Sequence, residues 1–295
     1  MEFFMEGYLL ILLITALNLG ESIIITEYGK RHSSGGMLMN AVIALFAGLF
    51  FLITDTDGFY APPAMIPYAL INMLLYAAGF YLTFLAFKIG PYGLTRLISS
   101  FSLLIPIFYG LFFLNEEASW LTYTGIAMII AAMFLLKLTP GKEGEEKPKK
   151  EAFSFKWLVC IVTSTVANGF IAILTKMQQI KFDNACSNEF QMISIGGSFV
   201  MLAAIGLMTE RNNLKNVLKN GTLYGIGAGL CNGAKNFAVI LVYLFLPIST
   251  VSPIKTSLSM IAAFAVSVIF YKEKYSLIQK LGVLLGAVAV VLLAI

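Results

Sequence analysis

Residues 94–138, LTRLISSFSLLIPIFYGLFFLNEEASWLTYTGIAMIIAAMFLLKL, and residues 251–295, VSPIKTSLSMIAAFAVSVIFYKEKYSLIQKLGVLLGAVAVVLLAI, lie over one another without a gap at a shift of 157. Each reads as an apolar helix, a short charged turn and a second apolar helix. In that register Glu116 falls on Glu273, Ser119 on Ser276, Gly125 on Gly282, Ser100 on Ser257 and Ser102 on Ser259. Segments further upstream agree more loosely: Gly20 and Gly169 are each followed six residues later by a threonine, Thr26 and Thr175. The last five apolar segments therefore echo the first five. Five is odd, so a duplicated five-helix unit enters a bilayer the second time upside down. Inverted repeats of this kind build two oppositely open states around one central site.

Working outward from the repeat, apolar stretches at 7–28, 37–54, 66–88, 92–114, 119–138, 156–178, 189–209, 221–246, 248–271 and 276–295 fill nearly the whole 295-residue chain. A spanning helix needs about 20 mostly apolar residues. The composition agrees, with 59% hydrophobic and 12% charged residues and a mean hydropathy of +0.85. Soluble domains carry roughly 25% charged residues, so this chain cannot cover a water-facing surface. Turn residues punctuate the segments at Ser33-Ser34-Gly35-Gly36, Pro62-Pro63, Gly90-Pro91 and Asn212-Asn213. The expected fold is an all-α integral membrane protein, with ten transmembrane helices as two inverted five-helix repeats around a central cavity. The first repeat covers 1–138, a charged linker 139–155 and the second repeat 156–295. The start of the chain is acidic (Glu2, Glu6) and lacks a small-residue cleavage site, so the first segment reads as a retained helix.

Several function classes drop out. Cys160, Cys186 and Cys231 have no paired spacing, so neither a disulfide framework nor a zinc motif is expected. The single histidine, His32, sits in a basic loop, and no HExxH, nucleophile elbow or Walker loop occurs. Asp55 and Asp57 in DTDG read as a turn. No enzyme, cofactor, metal or nucleic-acid partner is expected. The positive charges sort by loop instead. All but four of the 20 basic residues lie on the linker side of the membrane; the four are Lys176, Lys181, Lys235 and Lys255. The positive-inside rule then puts the linker in the cytoplasm and both termini outside the plasma membrane.

The layout resembles the drug/metabolite transporter superfamily, specifically its ten-helix EamA-type carriers. The residues that carry the resemblance are the Glu-x-x-Ser turns Glu116/Ser119 and Glu273/Ser276 with Gly125 and Gly282, and Gly169 followed by Lys176 in the opening helix of the second half. The first half departs, with Gly20 followed by Glu27 and Leu19 in place of an aromatic residue. The resemblance spans the whole chain. It implies a secondary carrier working by alternating access, with a cavity lined by segments 1, 3, 4, 6, 8 and 9.

Charge at hydrocarbon depth costs at least ~2.5–3.5 kcal/mol on insertion scales, so each mid-helix charge asks for a reason. Arg96 and Lys176 lie within a turn of their segment ends, where a long side chain reaches the headgroups. Lys235 lies near mid-segment, and Asn232, Lys235 and Asn236 at i, i+3 and i+4 form one polar stripe. Such a stripe faces either a wet cavity or a fixed ion-pair partner. Glu21 is the only acid well inside a helix, with Asn18 one turn earlier. If Lys235 is its neighbour, the two form a bridge; if not, Glu21 is a candidate coupling site for a proton. Lys255 lies two turns inside segment 9 with Ser252, Ser259 and Pro253 nearby. Pro106, Pro247 and Pro253 loosen helix backbones by freeing the carbonyl four residues back. Asn18, Glu21, Tyr76, Tyr81, Arg96, Asn168, Asn232, Lys235, Asn236 and Lys255 make the candidate substrate site. A small polar metabolite, amino-acid-like or an organic anion, is the expected cargo, because interior cations outnumber interior acids. The alternative is organic-cation efflux coupled to protons through Glu21. Gly225, Gly229 and Gly233 on segment 8 read as a close-packing stripe, serving either the bundle itself or a homodimer.

Overall fold

Backbone that crosses lipid has no water to bond, so it must satisfy its polar groups internally. In a computed structural model the chain does this as helix nearly throughout, with no strand among the described residues. The residues described are 2–32, 36–55, 58–89, 95, 98–99, 101–117, 119–137, 154–269 and 277–294.

Helices fall on each of the ten apolar segments. They are α1 (Glu2–His32), α2 (Gly36–Thr54), α3 (Ile66–Ile89), α4 (Leu104–Phe113), α5 (Trp120–Lys137) and α6 (Phe155–Lys181). They continue as α7 (Ser187–Thr209), α8 (Thr222–Phe245), α9 (Ile248–Ile269) and α10 (Leu277–Ala294). Among the described residues six helical stretches are long and apolar enough to cross a membrane: Glu6–Gly29, Gly36–Thr54, Ile66–Ala86, Phe155–Lys181, Ser187–Thr209 and Arg211–Phe245. Helix ends match the expected bounds to within three residues except at α1, which runs five residues earlier and four later, and at α4, whose expected start lies outside the described residues and which a 3₁₀ turn at Phe101–Leu103 precedes. Arg96, Ser100, Glu273, Ser276 and linker residues 139–153 lie outside the described residues.

Packing pairs helices across the two halves. The principal contacts are α1 with α8, α3 with α6, α2 with both α7 and α8, α3 with α7, and α5 with α10. Further pairs are α1 with α9, α4 with α6 and with α9, and α9 with α10. One apolar core gathers Ile11, Ile14, Ile107, Val242, Val251 and Ile254 from α1, α4, α8 and α9. A second gathers Ala44, Ala47, Phe51, Tyr76, Ile195 and Leu202 from α2, α3 and α7.

Two close approaches explain why small residues recur. The glycine stripe of α8 faces α2 inside the bundle: a Cβ on Gly229 would stand 2.6 Å from Phe46 Cβ and 2.8 Å from the Ile43 carbonyl. That face is therefore filled by the protein's own α2. Where α2 crosses α7, a Cβ on Gly48 would lie 2.5 Å from Gly196 Cα. Gly196 closes a π-turn, Met192–Gly196, which widens α7 at the crossing.

Two helix starts are capped by acids from distant turns. Glu116 accepts the backbone N–H groups of Ile248 (3.0 Å, Oε1) and Ser249 (2.9 Å, Oε2) at the head of α9. Glu210 does the same for Met37 (3.0 Å) and Leu38 (3.3 Å) at the head of α2. A helix start presents unbonded N–H groups and a partial positive charge, and a carboxylate answers both.

Candidate functional site

The polar stripe on α8 meets α1. Lys235 Nζ lies 2.5 Å from Glu21 Oε2, and Asn232 Nδ2 donates to Glu21 Oε1 at 2.8 Å. Lys235 also reaches Asn18 Oδ1 at 3.4 Å. Asn236 Nδ2 donates to Asn232 Oδ1 at 2.9 Å, and Tyr76 Oη on α3 makes a long 3.5 Å bond to Asn236 Oδ1. Five side chains from three helices thus form one chain of contacts, Lys235–Glu21–Asn232–Asn236–Tyr76. Spacing explains the α8 contribution, since i, i+3 and i+4 share a face. The ion pair resolves the alternative left open by the sequence: Glu21 and Lys235 are bridged. Neither is fully dry, with side-chain exposures of 12% for Glu21 and 20% for Lys235.

Lys255 on α9 stands apart. It has neither a hydrogen bond nor an ion pair among the described residues. Ser252 and Ser257 beside it are buried. Ser257 is engaged elsewhere, donating to the Gly286 carbonyl of α10 at 2.9 Å. Burying an ammonium without a partner carries a large desolvation cost.

The remaining predicted residues are less central. Tyr81 packs against the apolar core around α2 and α7 and makes no hydrogen bond to the cluster. Asn168 on α6 sits opposite Gly79 of α3, where a Cβ would come 3.1 Å from its Oδ1. Arg96 lies outside the described residues. Lys176 does not reach for headgroups: its Nζ donates to the Tyr243 carbonyl at 2.7 Å. The cause lies in the chain itself. Pro247 is four residues after Tyr243 and has no N–H, so the Tyr243 carbonyl is left free and the ammonium takes it. Tyr243 itself is buried, at 3% exposure.

Sequence reasoning missed a second polar region between α3, α6 and α7. Gln179 Nε2 donates to the Ile240 carbonyl at 2.8 Å, while its Oε1 is buried without a partner among the described residues. Gln191 Nε2 reaches Thr175 Oγ1 at 3.4 Å, and its own Oε1 has no partner among the described residues. Asn72, fully buried on α3, pairs neither amide atom among the described residues. The available signal was the presence of lone amides in three apolar segments.

Gln179 opens onto a cavity of about 460 Å³ at the end of α6 remote from Phe155. Its polar lining includes Asp55, Asn184, Asn188 and Glu189, and its apolar wall is Phe237, Ile240, Leu241 and Leu244 of α8. The loop above it is held by Gln178, which donates to the Ala185 carbonyl at 2.6 Å and accepts from Ser187 Oγ at 3.0 Å. Three residues there, Asp183, Asn184 and Cys186, have positive φ. Burial pushes the Cys186 thiol pKa up, and the Glu189 and Asp55 carboxylates push it further.

No family profile matches the chain, and no curated protein matches it either. Among solved structures, 29 chains match. One, described only as a crystal structure of a protein, superimposes with a TM-score of 0.73 over 99% of this chain and 96% of its own, at 12% identity. That likeness extends to the fold alone.

Proposed function

We propose that this protein is a secondary carrier for a small carboxylate-bearing metabolite, amino-acid-like in character, of the EamA type in the drug/metabolite transporter superfamily. It works by alternating access between two inverted five-helix repeats in the plasma membrane, with both termini outside and the linker in the cytoplasm.

The repeat reading has support in the packing. Exchange each helix for its counterpart five further on, and α1–α8 becomes α6–α3, α2–α8 becomes α7–α3, and α1–α9 becomes α6–α4; all six pairs are in contact. The pairs α2–α7, α4–α9 and α5–α10 map onto themselves, as elements beside a twofold axis do. Only α9–α10 lacks a principal counterpart among the described residues. An odd number of spans per unit then requires the axis to lie in the membrane plane.

The observation that carries the cargo class is Lys255. The Glu21–Lys235 pair cancels its own charge, whereas Lys255 on α9 has no counter-ion among the described residues. An anionic group on the cargo supplies the missing partner, and Asn232 and Asn236 offer amides to orient it. Organic-cation efflux through Glu21 is less favoured by this geometry, because both carboxylate oxygens are already engaged.

The test is uptake into proteoliposomes of labelled amino acids, organic acids and organic cations, for wild type and Lys255→Met. Carboxylate-dependent uptake that falls at least tenfold in the variant supports the reading. Uptake confined to cations, or carboxylate uptake unchanged in Lys255→Met, overturns it.

A further inference from the structure

The corner between α8 and α9 joins the two helices that carry most of the candidate site. Asn232, Lys235 and Asn236 stand on α8, and Lys255 stands on α9. Sequence forces the corner. Pro247 cannot continue α8, and it pushes the residue before it out of helical geometry. Leu246 is accordingly extended, with φ −132° and ψ 148°. Such a break leaves unbonded the last carbonyls of one helix and the first N–H groups of the next.

Charges from elsewhere in the chain answer both ends. Lys176 of α6 donates to the Tyr243 carbonyl at 2.7 Å, with its Nζ 5.7 Å from the centre of the Tyr243 ring. Glu116 of the α4–α5 turn accepts the Ile248 N–H at 3.0 Å and the Ser249 N–H at 2.9 Å. Each sign is the one the local dipole favours, a cation where a helix ends and an anion where one begins. The turn is shaped to present the acid. Asn115 has a positive φ of 50°, the Glu116 N–H bonds the Gly110 carbonyl at 3.1 Å, and a Cβ on Gly110 would run into the Glu116 carboxylate. Beneath the corner the bundle is packed solid. On α9, Ile248, Ser249, Val251, Ser252, Pro253 and Ile254 are buried, whereas Lys255 and Thr256 are half-buried. Ile11 of α1, Ile107 of α4 and Val242 of α8 belong to the same dry layer, none more than 1% exposed. Lys255 lies about 9 Å along α9 from the capped Ser249.

We infer that Lys176 and Glu116 are a pair of positioning residues that clamp the α8–α9 corner over the candidate site and hold Lys255 in register with Asn232 and Asn236. Neither touches the cargo. Release of either lets the corner lift and admits water toward Lys255 from that end of the bundle. As a control on cargo access the clamp rests on the carrier reading; as a clamp it does not.

The test needs no cargo. Ser252 is 4% exposed and lies one turn from Lys255 on the same face of α9, beneath the corner. Ser252→Cys makes it a reporter, whose alkylation by a membrane-impermeant maleimide is followed by site-resolved mass spectrometry in right-side-out and inside-out vesicles. Two native thiols calibrate the result. Cys186 lines one cavity with Leu244 and so marks the face on which the corner lies. Cys160, 6% exposed toward the other end of α6, reports general loosening.

In the Ser252→Cys background, Lys176→Met raises reporter labelling about tenfold, as loss of one charged hydrogen bond allows. The rise occurs only from the Cys186 face. Glu116→Gln raises it by less, because an amide oxygen still accepts one of the two N–H groups. Lys176→Arg keeps a cationic donor and stays at the background rate. Glu210→Gln removes a cap of the same chemistry at the head of α2 and leaves the reporter unchanged. Should Lys176→Met fail to fold, Glu116→Gln against Glu210→Gln decides. No rise with the clamp variants, equal rises from both faces, or a matching rise at Cys160 overturns the inference. Uptake by wild type and Lys255→Met tests the carrier reading separately, so a corner that opens in a protein carrying no carboxylate sinks that reading and leaves the clamp standing.

Discussion

Replacing Lys235 by methionine strands the Glu21 carboxylate between α1 and α8, where only the Asn232 amide at 2.8 Å remains to bond it. Two unit charges 2.5 Å apart attract by about 7 kcal/mol at an effective dielectric of about 20. Desolvation of both ions consumes much of that. Deleting one partner of a buried pair costs about 3–5 kcal/mol, and the residual exposure of these side chains puts Lys235→Met near the lower bound, ~3 kcal/mol. Glu21→Gln leaves the ammonium near Asn18 Oδ1 at 3.4 Å, a weaker contact on a longer, more adaptable side chain. It costs about 2 kcal/mol. The double variant buries no unpaired charge from this pair and keeps an amide beside Asn232, so its cost is about 1–2 kcal/mol. The coupling energy is therefore ~3–4 kcal/mol, well above the additive limit of about 0.5 kcal/mol for independent sites. Equilibrium unfolding in mixed micelles measures it, read by the fluorescence of Trp157, which is buried and donates to Thr95 Oγ1 at 2.8 Å. Additive single-variant costs would refute the pair.

Three further outcomes follow from named contacts. Glu116→Gln loses the charge that caps α9 at Ile248 and Ser249, and a loss of about 1 kcal/mol is expected in the same unfolding assay. Gly229→Val drives a side chain into Phe46 and the Ile43 carbonyl, so α2 and α8 cannot close. The expected result is loss of a folded, monodisperse peak in size-exclusion chromatography, whereas Gly29→Val, with open space around it, keeps that peak. Asn72→Leu removes two unpaired polar atoms at similar volume and raises stability by about 1–3 kcal/mol. A destabilised Asn72→Leu would mean instead that Asn72 bonds water in the folded protein.

Helix positions were legible in the sequence because lipid leaves the backbone one solution, and hydropathy alone then marks the segments. The α8 stripe was legible for a similar reason: Asn232, Lys235 and Asn236 share a face whatever surrounds them. Its partner was not. Glu21 and Lys235 are 214 residues apart, and no local pattern says which faces of α1 and α8 meet. Lys176 was misread because depth from a helix end was the only available measure. Its true partner is a carbonyl freed by Pro247 on another helix. The capping roles of Glu116 and Glu210 were equally hidden, since each acid serves a helix more than 130 residues away.

These long-range acids bear on how a bundle of this kind can move. Glu116 ties the α4–α5 turn of the first half to the head of α9 in the second, and Glu210 ties the end of α7 back to the head of α2. Each latch binds one half to the other outside the central cluster, and each is made of solvent-tolerant groups at a helix end. Glu21–Lys235 makes the same kind of link, α1 to α8, at depth. Relative motion of the halves must therefore either preserve these three links or exchange them for others.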